Sequence, residues 1–311
     1  VTVWLIAPMS TAALRYFAGG IFGSPFGIHH AAAAAPTTIT PAADGRPVAD
    51  VPPERADRAP VGFKVLRLKK GETEFLATGD RELCVVVLTG TVDIEVDGRR
   101  YTQLGTRDSV FDPAPPAAVY VRGGAAVGMD ATRDAEVALC SAPAGTEKRE
   151  AFVIDSGAMK RSVRGKGSNT RHVCDILPHD DPRAAHLLVV EVITPAGNAS
   201  SYPPHKHDRD ALPEETLLEE TYYHRLNPPQ GFAFQRVYTD DRSLDESMAV
   251  ENHDTVMVPR GYHPVVAPHG YDLYYLNVMA GPGRYWVFRN DPAHEWMLQP
   301  DMQDRLAAKR S

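Results

Sequence analysis

Two histidines one residue apart, His205 and His207, lie in the second half of the chain. Side chains at positions i and i+2 of a β-strand leave the same face, so both imidazoles can converge on one metal ion. Downstream, Glu220 begins a tyrosine-rich segment, and His263 follows a Pro-Arg-Gly-Tyr turn. We therefore predict a metal site formed by His205, His207, Glu220 and His263.

The sequence alone does not decide which carboxylate binds the metal, because the segment after the histidine pair holds several acidic residues. We prefer Glu220 since it opens a strand-like run, and alternation along that run would place Tyr222 and His224 on the same inward face. The competing carboxylates are those of Glu214, Glu215 and Glu219.

Three imidazoles and one carboxylate suit several divalent metals. Zinc is the first choice because catalytic zinc sites keep open coordination positions. The same ligands also accept manganese, iron or nickel, and two open positions would admit a bidentate substrate. Lys206 lies between the two histidines and projects away from them by alternation, so we expect it behind the site or at the surface.

The elements that must hold these residues have a β pattern from about residue 62. Short β-branched segments are bounded by Gly, Pro or Asp-Gly, as in antiparallel sandwiches and barrels, and Asp97-Gly98 predicts a hairpin turn. A second series of such segments runs from residue 186 to residue 279. Each half has a Glu at the start of a strand and an Asp-to-Pro segment later, at Glu82 and 108–113, then at Glu220 and 254–259.

This layout resembles the cupin jelly roll, in which one motif carries His-x-His and Glu and a second carries Pro-x-Gly and His. The resemblance implies an all-β fold of two tandem cupin β-barrel domains. We predict a non-core extension at residues 1–40, an N-terminal cupin at 41–150 and a C-terminal metal-binding cupin at 151–311. No histidine occurs between Gly62 and Gly145, so the first domain would serve packing or dimer contact. His253 stands where cupins commonly have Gly.

Composition limits the partners and the compartment. The 311 residues carry a net charge of -7 with no basic block, which argues against nucleic acid and anionic membrane as partners. The apolar stretches near the N-terminus are too interrupted to span a bilayer. Three cysteines without paired spacing indicate reduced thiols in a cytoplasmic enzyme. By analogy with cupins, which often pair through their sheets, we expect a homodimer. His29 and His30 adjoin an alanine run and are interpreted as incidental.

The wider sequence is similar to the 5-deoxy-glucuronate isomerase family of myo-inositol catabolism, from about residue 40 to residue 298. The matching segments are TGDRELC at 78–84, RGKGSNTR at 164–171, SSYPPHKHD at 200–208, LEETYYHR at 218–225, NPPQGFAFQRVY at 227–238, VPRGYHP at 258–264, YDLYYLNVMAG at 271–281 and NDPAHEW at 290–296. The related 5-keto-4-deoxyuronate isomerases bind zinc through a matching set of His, His, Glu and His.

The resemblance implies an aldose–ketose isomerisation that converts 5-deoxy-D-glucuronate to 2-deoxy-5-keto-D-gluconate through an enediol. Candidates for moving the proton are Tyr222, His224 and Gln235. Arg171 is the predicted clamp for the carboxylate of a small anionic sugar acid, with Tyr274 as a further substrate contact. The alternatives are a cupin dioxygenase, which would use iron and oxygen, and a non-catalytic sugar-binding protein.

Overall fold

The fold is described here from a computed structural model of the chain. It covers residues 60–299 and, outside them, the backbone of strands β1 (Thr2–Trp4), β2 (Thr37–Thr38) and β3 (Ala49–Val51). β1 pairs antiparallel with β2 and in parallel with residues 255–256. The rest of the predicted extension at residues 1–40, with His29 and His30, lies outside the described residues.

The N-terminal half is a sandwich of two antiparallel sheets. Its order is β12-β9-β6-β11-β4-β3 in the larger sheet and β5-β10-β7-β8 in the smaller. The Asp97-Gly98 turn joins β7 to β8 with φ of 49° and 83°, so the predicted hairpin is confirmed. The strands are β4 (Gly62–Leu68), β5 (Thr73–Ala77), β6 (Arg81–Thr89), β7 (Val92–Val96), β8 (Arg99–Leu104), β9 (Ala117–Val121), β10 (Ala126–Ala131), β11 (Ala135–Pro143) and β12 (Phe152–Ile154).

The C-terminal half repeats this architecture, which confirms the all-β prediction. Its larger sheet has the order β13-β14-β15-β25-β20-β23-β1-β2, and its smaller sheet β16-β24-β21-β22. Two short ladders, β17 with β26 and β18 with β19, lie beside them. The strands are β13 (Lys160–Arg164), β14 (Arg171–Leu177), β15 (Leu188–Thr194), β16 (Ala199–Ser200), β17 (His205–Lys206), β18 (Asp208–Ala211), β19 (Glu215–Leu217), β20 (Glu219–Asn227), β21 (Phe232–Tyr238), β22 (Asp245–Glu251), β23 (Thr255–Val258), β24 (Val265–Val266), β25 (Asp272–Ala280) and β26 (Arg289–Asn290), with 3-10 turns at Gly167–Asn169 and Glu295–Leu298.

The larger sheets of the two halves pack against each other, so their strands are buried on both faces. In β20, alternation sends Tyr223 into this shared core and Tyr222 into the interior of the C-terminal barrel. In β6, Cys84 faces the shared core and Val85 faces the N-terminal interior. The near-continuous apolar sequence of these strands follows from their burial on both sides.

Buried polar contacts join the halves across the shared core. Arg107 makes a bidentate ion pair with Glu191, with N···O distances of 3.1 and 2.9 Å, and the Tyr274 hydroxyl donates to Glu191. Nearby, Glu136 accepts hydrogen bonds from Tyr223 and from Arg225. These contacts fix the large sheet that carries much of the candidate site.

The structure shows the state of the cysteines and the length of the helices. All three cysteines are free and buried, as expected of reduced thiols. Among the described residues, no helix has the length and apolarity needed to cross a membrane.

Candidate metal centre and adjoining cavity

Three elements of the C-terminal barrel carry the predicted metal ligands. His205 lies in β17 and His207 follows it, Glu220 lies near the start of β20, and His263 lies in the turn between β23 and β24. That turn depends on Gly261, which has a φ of +91° and lies so close to Tyr238 that a Cβ atom would meet the Tyr238 carbonyl oxygen at 2.5 Å. Only glycine fits both conditions, so the Pro-x-Gly motif has a steric cause.

Three of the four predicted ligands converge. The ligand atoms of His207, Glu220 and His263 all lie within 4.8 Å of one another, and all three residues are buried. The Nε2 atom of each imidazole is 3.1 Å from Glu220 Oε2. Glu220 is therefore the carboxylate that the fold places beside the histidines.

The hydrogen bonds of the two imidazoles fix which nitrogen is free to bind a cation. His207 Nδ1 donates to the Leu218 carbonyl oxygen at 3.0 Å, and His263 Nδ1 donates to the Gly261 carbonyl oxygen at 2.9 Å. A carbonyl oxygen only accepts, so each neutral ring presents the lone pair of Nε2 to Glu220. Two lone pairs and a carboxylate facing one point repel one another unless a cation or protons lie between them. This donor set fits a divalent metal ion.

The same electrostatics appear in the pKa values of these groups. Burial alone would raise the pKa of Glu220, but the charges and hydrogen bonds of His263 and His207 outweigh it and lower that pKa to about 2. Burial lowers the pKa of His207, yet the hydrogen bond and charge of Glu220 leave it raised. The cluster therefore favours a carboxylate with positive charge next to it.

His205 lies beside this trio without belonging to its closest contacts. Its ring centroid is 5.0 Å from that of His263 and 6.4 Å from that of His207. Burial, followed by the charges of His263 and His207, holds the pKa of His205 well below its usual value. A neutral His205 is available as a fourth ligand or as a contact to a bound molecule.

An ionic network centred on the buried Lys206 lies behind the ligands. Lys206 is 4% exposed, and its Nζ atom lies 2.8 Å from Asp208 and 3.0 Å from Asp240. Asp208 also accepts a hydrogen bond from the Gly261 backbone N–H at 2.8 Å. Asp208 thus ties the strand after His207 to the turn that carries His263, and of the two predicted positions of Lys206, behind the site is the observed one.

The competing acids have other partners. Glu215 is buried and accepts hydrogen bonds from Arg209 and from the Asp208 backbone N–H. Glu219 points away from the barrel interior, and its carboxylate accepts a hydrogen bond from the Val61 backbone N–H. Glu214 is exposed.

A cavity of about 240 Å³ opens next to His205. Its walls come from β13, β14, β15, β20 and β25 and from the segment before β26. The lining residues are Arg164, Arg171, Val173, Val192, Ser200, Ser201, Tyr202, Pro203, His205, Tyr222, Tyr275, Asn277, Trp286, Phe288, Asn290 and Leu298.

Arg171, the predicted clamp for the substrate carboxylate, lines the wall of this cavity. Its hydrogen bonds within the described residues both use Nη1, to the backbone and side-chain oxygens of Asn169. Burial lowers the pKa of the guanidinium, although it stays far above neutrality for an arginine. Nε and Nη2 remain to bind an anion.

The three proton-transfer candidates occupy different depths. Tyr222 lines the cavity, and its hydroxyl lies 3.0 Å from Ser201 Oγ. His224 stacks behind Tyr222 at 5.9 Å, and burial lowers its pKa to about 4. Gln235 is buried in the barrel on β21, and neither of its amide atoms has a hydrogen-bond partner among the described residues. Of the three, Tyr222 is the one in the cavity wall.

The prediction for Tyr274 is corrected by the fold. Its side chain points into the shared core, where the hydroxyl is used by Glu191, and the next residue, Tyr275, lines the cavity instead. Adjacent strand residues face opposite sides, so an error of one position moves a side chain to the wrong face.

Several cavity residues were not anticipated. Ser200 and Ser201 both point to the same wall, the former hydrogen-bonded to Tyr275 and the latter to Tyr222. Ser201 has a φ of 55°, and this left-handed conformation breaks the usual alternation between neighbours. Asn277 Oδ1 and Trp286 Nε1 are buried without a hydrogen-bond partner in the described part of the chain. Alternation along β25 places Asn277 on the same face as Tyr275, so Asn277 could have been predicted as a cavity residue. Nothing in the sequence indicates the conformation of Ser201.

Comparison with known proteins gives a consistent set of relatives. A model of the KduI/IolB family matches residues 37–297. The 5-deoxy-glucuronate isomerase of Halalkalibacterium halodurans is 53% identical over 254 residues, covering 81% of this chain and 93% of the relative. That of Geobacillus kaustophilus is 51% identical, covering 85% and 93%. That of Bacillus subtilis strain 168 is 50% identical, covering 81% and 93%.

Two solved structures have a similar fold. The crystal structure of an IolB-like protein from Salmonella typhimurium has a TM-score of 0.80 at 46% identity, covering 83% of this chain and 97% of that one. Bacillus subtilis oxalate decarboxylase has a TM-score of 0.54 at 11% identity, covering 85% and 84%. The second likeness concerns the fold alone.

Proposed function

Because this chain belongs to the KduI/IolB family, we propose that it is a 5-deoxy-glucuronate isomerase. The reaction is the conversion of 5-deoxy-D-glucuronate to 2-deoxy-5-keto-D-gluconate in myo-inositol catabolism. The reaction is redox-neutral overall, because one carbon is oxidised as its neighbour is reduced, and it needs no external oxidant. The substrate is a small sugar acid, which a net-negative protein must bind through a locally basic group.

The observation that carries this proposal is the position of the cation-binding donors at one end of a cavity that also contains a guanidinium. His205 borders both the metal donors and the cavity, and Arg171 lies in the same walls. An aldehyde with a carboxylate several carbons away matches two such anchoring points.

His205, His207, Glu220 and His263 would hold the metal, with zinc as our first choice and manganese, iron or nickel as alternatives. A bound divalent metal supplies Lewis-acid stabilisation of the negative charge that develops on the substrate oxygens during enolisation. The protein contributes by holding the two Nε2 lone pairs in place through the backbone bonds of His207 and His263.

Arg171 orients the substrate by binding its carboxylate. Asn169 holds Nη1, which restricts the guanidinium before the ligand arrives and lowers the entropy lost on binding. A planar guanidinium also accepts a carboxylate through paired hydrogen bonds.

Tyr222 is suited to hold or give a proton at a substrate oxygen. Burial keeps the pKa of its hydroxyl well above the usual value, so the group stays protonated, and Ser201 aims it along the cavity wall. His224 does not border the cavity and supports Tyr222 from behind, and Gln235 does not border the cavity either.

The test is an anaerobic assay of purified, metal-analysed protein on 5-deoxy-glucuronate. We expect ketose formation without oxygen and with solvent deuterium incorporated into the product, because the protein group that removes the proton from one carbon exchanges it with solvent before a proton is returned to the neighbouring carbon. Strict dependence on iron and oxygen would indicate the dioxygenase, and reversible binding without turnover would indicate a sugar-binding protein. We also propose a cytoplasmic homodimer without nucleic-acid or membrane partners.

A further inference from the structure

One wall of the cavity is apolar where it meets Arg171. Val173 lies two residues after Arg171 in β14, so both side chains leave the same face of the strand. Val192 of β15 is its direct cross-strand partner, and Val192 pairs in turn with Tyr275 of β25. Both valines line the cavity and are at most 5% exposed.

The other walls of the same cavity are polar. Ser200, Ser201, Tyr222 and Asn277 bring hydroxyl and amide groups to it, and Asn277 Oδ1 has no partner of its own in the described residues. The Tyr275 hydroxyl is engaged with Ser200. A ligand hydroxyl therefore finds partners on these walls and none from the side chains of the valine pair.

This contrast matches the chemical pattern of a 5-deoxy sugar acid. Its carboxylate is attached to a methylene group, and the remaining carbons carry oxygens. If the substrate carboxylate binds Arg171, the methylene carbon attached to that carboxylate is the carbon closest to Val173 and its cross-strand partner Val192. In such a pose that carbon would lie beside Val173 and Val192, and the oxygen-bearing carbons would extend toward the polar walls and His205.

We propose that Val173 and Val192 form the subsite for the methylene group next to the substrate carboxylate, and that this pair selects the deoxy sugar acid over its hydroxylated analogue. The inference rests on the proposed isomerase function. D-Glucuronate differs from the substrate by a hydroxyl on this carbon, and that hydroxyl would be buried without a partner. An apolar pocket discriminates against an added hydroxyl by about 100-fold at most.

The experiment compares kcat/KM for D-glucuronate and 5-deoxy-glucuronate in the wild type, Val173→Thr and Val192→Thr. Threonine keeps the shape of valine and supplies a hydroxyl partner. We expect the ratio of glucuronate to 5-deoxy-glucuronate kcat/KM to rise about tenfold in either variant. Glucuronate closes a ring through this hydroxyl, which lowers the concentration of its open-chain form in solution. This lowering is the same for every variant, so it cancels when the kcat/KM ratios of the variants are compared. Where glucuronate turnover is too slow, its inhibition constant against 5-deoxy-glucuronate gives the same comparison.

Val190→Thr is the matched control, because Val190 faces the same barrel interior from the same strand without lining the cavity. Its ratio should equal that of the wild type, and thermal unfolding of all three variants separates selectivity from stability. Unchanged ratios in both Val173→Thr and Val192→Thr, with 5-deoxy-glucuronate turnover intact, would overturn the subsite. Failure of the metal-loaded wild type to convert 5-deoxy-glucuronate would instead overturn the proposed function and, with it, this inference.

Discussion

The two halves have the same sandwich architecture but different interiors. Among the described residues, the interior of the N-terminal half is built on one apolar cluster, with residues such as Val85, Ile94 and Val119 at its centre. The corresponding space of the C-terminal half contains the metal donors, Arg171 and the cavity. In the described residues, every buried side-chain nitrogen or oxygen atom without a hydrogen-bond partner belongs to the C-terminal half, with the exception of Arg149 Nε. The N-terminal interior is therefore filled mainly by apolar side chains, whereas the C-terminal interior keeps unpaired polar atoms beside a cavity.

Glu82 and Glu220 show how one motif gives two outcomes. Both lie near the start of a long strand, but Glu82 faces the shared core, where its carboxylate accepts N–H groups of residues 185–187 and the Tyr120 hydroxyl. Glu220 faces the barrel interior and meets two histidines. The direction of the side chain, rather than the residue type, decides which glutamate is available to a metal.

The first prediction exchanges each glutamate for glutamine. Glu220→Gln should reduce metal affinity more than 100-fold, beyond the range of about 10–100-fold expected for an outer-sphere change, and reduce turnover to background. Glu82→Gln should leave metal affinity unchanged and lower only the free energy of unfolding. Isothermal titration with zinc and chemical denaturation measure the two effects. Glu215→Gln is a second control, and a larger loss there than in Glu220→Gln would move the carboxylate ligand to the loop.

The second prediction concerns the contact that joins the halves. Glu191→Ala leaves Arg107 buried without its ion-pair partner, so we expect a loss of about 3–5 kcal/mol in the free energy of unfolding. Glu95→Ala is the control, because Glu95 pairs with Arg100 at an exposed site 3.8 Å away and should cost under about 1 kcal/mol. Equal losses in urea denaturation would contradict the role of the buried pair.

The third prediction tests the anion-binding end of the cavity. Arg171→Lys keeps the charge but loses the paired hydrogen bonds, so kcat/KM should fall about 10–100-fold, mainly through KM. Arg164→Lys is the control, since Arg164 is 37% exposed and already lies 3.6 Å from Asp175. If Arg171→Lys lowers kcat/KM less than Arg164→Lys does, then Arg164 and not Arg171 binds the substrate carboxylate.

The fourth and smallest prediction uses pH. Burial, then the charges of Arg225 and Arg67, lowers the pKa of His253 to about 2. The unfolded chain takes up a proton near pH 6.5 while the folded chain does not, so this contribution to stability is complete above pH 6.5 and is lost progressively toward pH 2. At pH 5 the loss is about 2 kcal/mol at most.

His253→Asn isolates this effect, because asparagine tolerates the left-handed φ of 77° found at this position. The variant should lose less stability than the wild type between pH 7 and pH 5 in matched denaturant titrations. An unchanged pH dependence would exclude His253 as its source. The φ of 77° also explains why related motifs have glycine at this position.

The sequence predicts the fold class and the metal donors because both depend on short local patterns. Strand alternation and the Asp97-Gly98 turn identify the β architecture, and the position of Glu220 near the start of its strand identifies the carboxylate that meets His207 and His263. The i, i+2 spacing places His205 beside this trio and not within it. The sequence fails for Tyr274 because register cannot be counted reliably over a long buried strand whose two faces are equally apolar. The sequence also does not predict the left-handed φ of Ser201 or the ion pairs around Lys206, since both arise from tertiary contacts.

The most direct measurement of the central claim is the metal content per chain of three proteins, by elemental analysis after dialysis. We predict one divalent ion per chain in the wild type, none in the double variant His207→Ala and His263→Ala, and one in Val85→Ala, which creates a cavity in the N-terminal interior instead. A full equivalent of metal retained by the double variant, with the fold intact by circular dichroism, would contradict the account.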